Sequence, residues 1–332
     1  MQYCYPSEHE RHHATWLSFC ANHAVWQDLR ITAAIQANIS RLALNIARFE
    51  PVKILVRPEE MVQAKNLMGS DVEYIEAALD DIWLRDSGAV FVKNSHSGEK
   101  TAVNFNFNGW GNKQAHRQDA HAPAIMAEAA GVPLVRADIC LEGGALEVDG
   151  RGNAILNESC ILNDNRNPGM SKAECEKALA RFLGIEHIIW LPGMKDADIT
   201  DSHIDFYAKY INGQTVLINR EHNRAKPDHI ITRQTAAALA EHFELNETHI
   251  LDNPQSVRVD TDEFPDFAAS YINYYACNGG VIVPEFGDAH TDAAAKEKLQ
   301  LWYPDREIVA MNIDWIAIGG GGIHCVTQQE FG

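Results

Sequence analysis

Cys325 closes a run in which four glycines, Gly319 to Gly322, are followed by Ile323 and His324. Glycine lets the backbone approach a ligand closely and takes up dihedral angles that other residues avoid. A cysteine just after such a run can be presented at the floor of a narrow pocket. Cys325 is therefore a candidate nucleophile, and a nucleophilic thiol needs a proton carrier and a local charge that favours the thiolate. Apolar residues on both sides, Ile316 to Ile318 and Ile323 with Val326, predict that the run sits at the end of a buried strand.

Three other stretches carry groups that fit this need. Asp80-Asp81-Ile82-Trp83-Leu84-Arg85-Asp86 puts three carboxylates, an arginine and a tryptophan just ahead of an apolar strand. A carboxylate beside an aromatic face suits a planar cation, since the acid takes the N–H groups and the ring covers the face. The same residues also fit a solvated acidic loop in which Arg85 pairs with Asp81. Glu142-Gly143-Gly144 sets a carboxylate before two glycines, as a site residue or as an ordinary turn acid. In Asp201-Ser202-His203-Ile204-Asp205, His203 and Asp205 are two apart and share a face if the backbone is extended. Histidine is the natural proton carrier near neutral pH. A metal site and a structural hydrogen bond remain open for this pair. The stretch His9-Glu10-Arg11-His12-His13 has the spacing of a zinc-protease motif but lacks the helical flank that motif requires.

The totals narrow the class of partner. With 332 residues and 46% hydrophobic content the chain can bury a sizeable core. Lys plus Arg is 28 against 46 for Asp plus Glu, a formal charge of −18. Nucleic acid is excluded, because phosphate binding needs a basic face. A cationic small molecule suits an acidic chain, although such a surface also serves solubility. Seven scattered cysteines without framework spacing predict free thiols in a reducing compartment. No signal peptide or membrane-spanning stretch is evident, so a cytoplasmic protein is expected.

The elements that must position these groups follow from periodicity. Helical spacing predicts helices over 27–49, 59–68, 119–130, 171–183, 231–243 and 290–301. Ser171 with Glu174 forms a capping-box pattern at the start of one. Strands are predicted near 52–56, 72–75, 89–92, 101–107, 134–136, 144–148, 153–156, 187–191, 203–211, 214–219, 248–251, 271–276, 280–283, 307–311 and 314–318. Pairs of strands and single helices alternate with no linker between them. One α/β domain over 1–332 is therefore expected.

Taken together, the chain resembles the agmatine deiminase and bacterial-type peptidylarginine deiminase group of the guanidine-modifying, or pentein, superfamily. The resemblance spans nearly the whole length. It rests on Ala14–Leu17, Asp81–Gly88, Phe105–Gly111, Glu142–Gly144, Leu162–Pro168, Ser202–Asp205, Phe286–Asp288, Tyr303–Arg306 and, most specifically, the glycine run through Gln329. It implies a five-bladed α/β propeller of ββαβ units around a polar tunnel. It implies Cys325 as nucleophile, His203 as general acid and base, Asp86 and Asp205 as guanidinium ligands, and Glu142 as their partner. It implies no metal or organic cofactor, and a homodimer is expected from the resemblance alone. Ala89, Phe19-Cys20 and Phe206 depart from the group, where proline, Trp-Pro and asparagine are frequent.

A small cationic guanidino substrate follows, with agmatine first and N-carbamoylputrescine plus ammonia as products. Trp83 or Trp110 is expected to line the mouth, and the glycines to leave room for the flat guanidinium. Peptidylarginine or free arginine is the alternative substrate. An amidinotransferase, or a guanidinium-binding protein without catalysis, is the more distant alternative.

Overall fold

The computed structural model describes residues 3–21, 23–26 and 28–332. Among them, four small sheets follow one plan, an antiparallel hairpin, a helix, then a strand added in parallel, and in a fifth the antiparallel pair comes from the two ends of the chain. Strands β1 to β4 are Tyr3–Cys4, His12–Ser18, Val52–Val56 and Glu73–Glu76. Strands β5 to β10 are Val90–Asn94, Lys100–Asn104, Leu134–Arg136, Glu147–Val148, Asn153–Asn157 and His187–Leu191. Strands β11 to β17 are Ala208–Asn212, Thr215–Arg220, Ile250–Asp252, Tyr275–Cys277, Gly280–Glu285, Glu307–Asn312 and Thr327–Phe331. The longer helices are α1 (Leu29–Ala47), α2 (Met61–Met68), α3 (Ala122–Ala130), α4 (Lys172–Leu183), α5 (Asp228–Leu239) and α6 (Ala289–Trp302).

Helix α3 links the β5–β6 hairpin to β7, α4 links β8–β9 to β10, α5 links β11–β12 to β13, and α6 links β14–β15 to β16. The fifth sheet joins the two ends of the chain. There β17 pairs antiparallel with β2, β3 lies parallel to β2, and β4 completes the order. The helices form where apolar residues recur with helical period and stop at the expected signals. Gly131 and Gly184, both left-handed, end α3 and α4. The Ser171–Glu174 capping box is formed in full. No helix among the described residues is long and apolar enough to cross a membrane.

Two expectations fail where they matter most. Residues 314–317 form a helical turn rather than a strand. Trp315 to Ile318 form a short apolar run, and such a run reads alike as strand or helix, so periodicity cannot separate them. The segment before the glycines is therefore not a strand end, and Cys325 lies in the helical turn Ile323–Val326 that leads into β17. Strands β2 and β17 were outside the predicted set, because each is buried on both faces and shows little alternation.

The pairing of β17 with β2 is fixed by a buried charge cluster. Glu330 accepts hydrogen bonds from Trp16 Nε1 at 2.9 Å, Lys53 Nζ at 3.2 Å and Lys100 Nζ at 2.6 Å. Lys53 also lies 4.8 Å from the Trp16 ring centre. Burial opposes the ionised carboxylate, but the two lysines outweigh it and hold its pKa down. Glu330→Ala leaves two lysines largely buried without their anion. It is expected to cost about 3–5 kcal/mol in urea unfolding; a loss below about 1 kcal/mol would show that the cluster does not anchor this strand.

Candidate active site

Side chains from four separate stretches converge over Gly144. A Cβ built on this glycine would lie 2.6 Å from His203 Nδ1, 2.8 Å from Asp86 Oδ1 and 3.2 Å from Asp205 Oδ2. Any side chain here would enter the cluster, so the glycine is required for space. Gly143 is required for a different reason: its Cβ would strike the Arg85 carbonyl oxygen at 2.2 Å. The pair turns the chain so that the Gly144 amide donates to Asp86 Oδ1 at 2.9 Å.

Asp86 sits in the helical turn Leu84–Ser87, and its second oxygen accepts from Trp110 Nε1 at 3.0 Å. Trp110 therefore stands against Asp86, buried, rather than at a mouth. Its backbone is left-handed, with φ at 54°. For a bulky residue that costs roughly 1–2 kcal/mol. The indole bond to Asp86 is what the strain secures. Burial, followed by the charges of Asp205 and Glu142, raises Asp86 to about 6 despite the opposing pull of His203.

His203 and Asp205 do not lie on a strand. His203 is extended and Ile204–Phe206 is a tight helical turn, which brings both side chains to the same side by bending rather than by alternation. His203 Nδ1 lies 3.6 Å from Asp86 Oδ1, and Nε2 lies 3.4 Å from Glu142 Oε2. Burial disfavours its charged form, but Asp86, Glu142 and Asp205 together prevail and raise it to about 9. His203 is thus an imidazolium at neutral pH. Glu142 is held by Arg166, whose Nε donates to Oε1 at 2.9 Å; Arg166 in turn binds Asp201, which also takes Lys113 Nζ at 2.8 Å.

Cys325 Sγ lies 3.5 Å from Asp205 Oδ2 and 3.4 Å from Asn273 Nδ2. Burial, then Asp205 and Asp86, drive its pKa well above the ordinary thiol range. The group is a neutral thiol beside the Asp205 carboxylate. Asn273 also donates to the Asp205 carbonyl at 3.3 Å and accepts from the His324 amide at 3.0 Å. It spans the nucleophile candidate and the carboxylate segment.

Behind Asp205 lies a chain of buried charges. Asp205 Oδ2 meets His324 Nδ1 at 2.8 Å, and His324 Nε2 meets Glu8 Oε2 at 2.8 Å. Burial, with Arg85 and Lys209 nearby, pushes the pKa of His324 down although Glu8 and Asp205 pull it up, and both carboxylates are held below their usual range. Glu8 also contacts Lys209 at 2.9 Å and Arg85 at 3.5 Å. Arg85 is consumed here and by Gln329 at 2.6 Å, rather than by Asp81. Asp81 instead accepts from Trp26 Nε1 and Gln114 Nε2, each at 2.8 Å. These fixings leave one oxygen idle: Asp205 Oδ1 is buried and has no donor.

The glycine run serves packing. The Cβ positions of Gly319 and Gly321 are filled by the rings of Trp26 and Trp83, at 2.0 and 2.1 Å, and that of Gly322 by Asn273 at 2.4 Å. The room is taken by indoles and an amide, not left for a ligand. Trp83 then forms part of a cleft of about 490 Å³ that also touches Gly320, Thr200 and Phe206. The zinc-protease spacing near the start is not helical. His12 spends its nitrogens on Glu50 and the Glu8 carbonyl, each at 2.9 Å, and His9 meets the Tyr210 carbonyl. Among the described residues no group of three or more potential ligands is placed to hold a metal.

Asn273, His324, Glu8, Arg166 and Lys209 were not singled out from sequence. His324 adjoins Cys325 and was within reach of that reading. Asn273 lies in an apolar and aromatic stretch that gives no signal.

A family model for Porphyromonas-type peptidyl-arginine deiminases matches residues 4–330. An agmatine deiminase of Pseudomonas aeruginosa is 32% identical over 351 residues, covering 98% of this chain and 94% of that protein. The solved agmatine deiminase of Enterococcus faecalis superposes with a TM-score of 0.89 at 28% identity, covering 99% of this chain and 96% of that one.

The charge pattern makes a direct prediction. A histidine whose pKa is raised on folding contributes stability that is complete below 6.5 and is lost as pH rises through about 9. NMR titration of labelled histidines should show the His203 ring still protonated above pH 8. Glu142→Gln should move that titration down toward 6.5, the ordinary histidine value. An unmoved titration would mean that Glu142 does not hold the charge.

Proposed function

The chain belongs to the Porphyromonas-type peptidyl-arginine deiminase family, and on that premise we propose that it hydrolyses the guanidinium of a small cationic compound, agmatine first, to the ureido product and ammonia. The observation that carries this is the cluster of Asp86, His203 and Asp205 over Gly144, in which Asp205 Oδ1 is buried and has no donor. A guanidinium is planar, permanently charged and has five N–H donors. It supplies the donors that Asp205 Oδ1 lacks and the charge that offsets two clustered carboxylates.

Binding also switches on the thiol. In the free site Asp86 and Asp205 add to burial in suppressing the thiolate of Cys325. A bound cation cancels both, and the Cys325 thiol gives up its proton to solvent, since His203 already carries one. The thiolate then attacks the guanidinium carbon, giving a neutral tetrahedral adduct. Imidazolium His203 protonates one amino group, ammonia leaves, and a cationic thiouronium remains on Cys325. Neutral His203 takes a proton from water as it attacks the same carbon. The C–S bond breaks, the thiolate is restored, and the ureido product departs after losing one proton to solvent. Glu142 holds His203 in place through both halves.

The cleft supports an amine rather than a carboxylate at the far end. Among the described residues, Asp198, Glu221, Asp228 and Asp266 line it against one cation, Lys226, so a carboxylate tail would meet more like charge than opposite charge. Arg85, the arginine nearest the site in sequence, is bound to Glu8 and cannot receive one. The five sheets, four of them hairpin-helix-strand units, are taken as blades of a single propeller domain, with the site where their ends meet. Seven free thiols fit a cytoplasmic enzyme.

The test is ammonia and ureido release from agmatine, arginine and a blocked arginine peptide. Agmatine should be preferred; equal turnover of all three would remove the agmatine assignment and leave the chemistry. Cys325→Ala should release no ammonia. Asp86→Asn and Asp205→Asn should each lower kcat/KM by about 10²–10³ with an unchanged circular dichroism spectrum, and full activity in either would take that residue out of the site.

A further inference from the structure

The buried carboxylates of the site are not held equally. Asp86 takes the Gly144 amide on one oxygen and the Trp110 indole on the other. Glu142 takes Arg166 on one oxygen and stands against His203 with the other. Among the described residues, the Asp205 carboxylate has two donors, and both reach the same oxygen: His324 Nδ1 at 2.8 Å and the Cys325 thiol at 3.5 Å. The terminal torsion of an aspartate is soft, so a carboxylate bound through one oxygen turns about that contact unless the donor itself is fixed. The thiol contact is also temporary. Attack requires the thiolate, which has no proton to donate. At that step only His324 of the two donors remains.

His324 is fixed at both its ring and its backbone. The ring is buried, with Nε2 2.8 Å from Glu8 Oε2. Glu8 is itself gripped by Lys209 Nζ at 2.9 Å and by the Ala276 amide at 3.0 Å. The His324 amide donates to Asn273 Oδ1 at 3.0 Å, and its carbonyl accepts from Arg85 Nε at 3.2 Å. Cys325 is the next residue in the same helical turn. One residue thus adjoins the nucleophile through its backbone and grips the carboxylate with its ring. Burial would raise the pKa of Asp205, but the His324 bond, then the charges of His324, His203 and Arg85, keep it below the usual carboxylate range. The bond that orients the carboxylate therefore also keeps it charged.

We propose that His324, braced by Glu8, is a positioning residue: it holds the Asp205 carboxylate at one angle and distance from the Cys325 sulfur, so that a guanidinium bound to Asp205 presents its carbon to the thiolate. This rests on the deiminase reading of the site.

The test is a pair of shape-matched replacements. The amide nitrogen of asparagine falls near Nδ1 of histidine, and that of glutamine near Nε2. His324→Asn therefore keeps a donor for Asp205, and His324→Gln keeps one for Glu8. Agmatine turnover is counted per folded molecule, from circular dichroism and urea unfolding. His324→Gln should lower kcat/KM by about 10²-fold, the cost of a misplaced reacting group. His324→Asn should lower it by less than about 10-fold, within one retained hydrogen bond. Equal losses in the two, or the larger loss in His324→Asn, would overturn the positioning role and leave the deiminase intact. A parent inactive on every guanidine would instead remove the deiminase reading, and the role with it. If either variant fails to fold, nitrogen NMR of the histidine rings in Cys325→Ala decides. A protonated His324 Nδ1 whose signal moves when agmatine is added supports the role. An Nδ1 without a proton, or one whose signal agmatine leaves in place, rejects it.

Discussion

The structure depends on keeping a set of carboxylates ionisable out of water. Asp86, Glu142, Asp205 and Glu8 are all buried within one connected cluster. An isolated buried carboxylate would take up a proton rather than bear the desolvation cost. Each is therefore tied to a donor or a cation that comes from elsewhere in the chain. Arg166 holds Glu142, Lys209 and Arg85 hold Glu8, His324 holds Asp205, and Trp110 with the Gly144 amide holds Asp86. Much of the fold's detail serves these ties. The Glu330 cluster fixes β17, β17 follows Cys325 directly, and the Gly143–Gly144 turn brings a backbone amide where no side chain fits.

The ties are uneven, and the unevenness gives the site its character. Glu142 and Glu8 are neutralised within the protein, whereas Asp86 and Asp205 are only partly so. Their remaining negative charge acts on two neighbours in opposite ways. It raises His203 toward the charged form and holds Cys325 in the neutral thiol form. In the proposed reaction the cationic substrate also creates the nucleophile, which makes selectivity for a positive charge part of that chemistry rather than an addition to it.

Much of this was legible in the sequence. The six longer helices and the hairpin-helix-strand alternation follow from periodicity, because each element faces one side to a core. Asp86, Glu142 and Cys325 stand out by residue type near glycines, His203 and Asp205 by their spacing two apart, and the structure brings all five together. Strands β2 and β17 did not stand out, since a strand buried on both faces loses its alternation. The turn at 314–317 reads as a strand because so short an apolar run carries no period that separates strand from helix. The role given to the glycine run was wrong in detail: it makes room for Trp26, Trp83 and Asn273, and nothing in a row of glycines says which neighbours will fill it.

The sequence by itself determined which groups can react and which local elements carry them, because chemistry belongs to residue type and periodicity belongs to neighbours along the chain. Only the tertiary structure decided the charge state of those groups and the company they keep. Proton affinity depends on burial and on charges a few ångströms away, and those charges come from residues as distant in sequence as Glu8 and His324. The same holds for the donorless oxygen of Asp205, since a missing partner is visible only once every other partner has been placed.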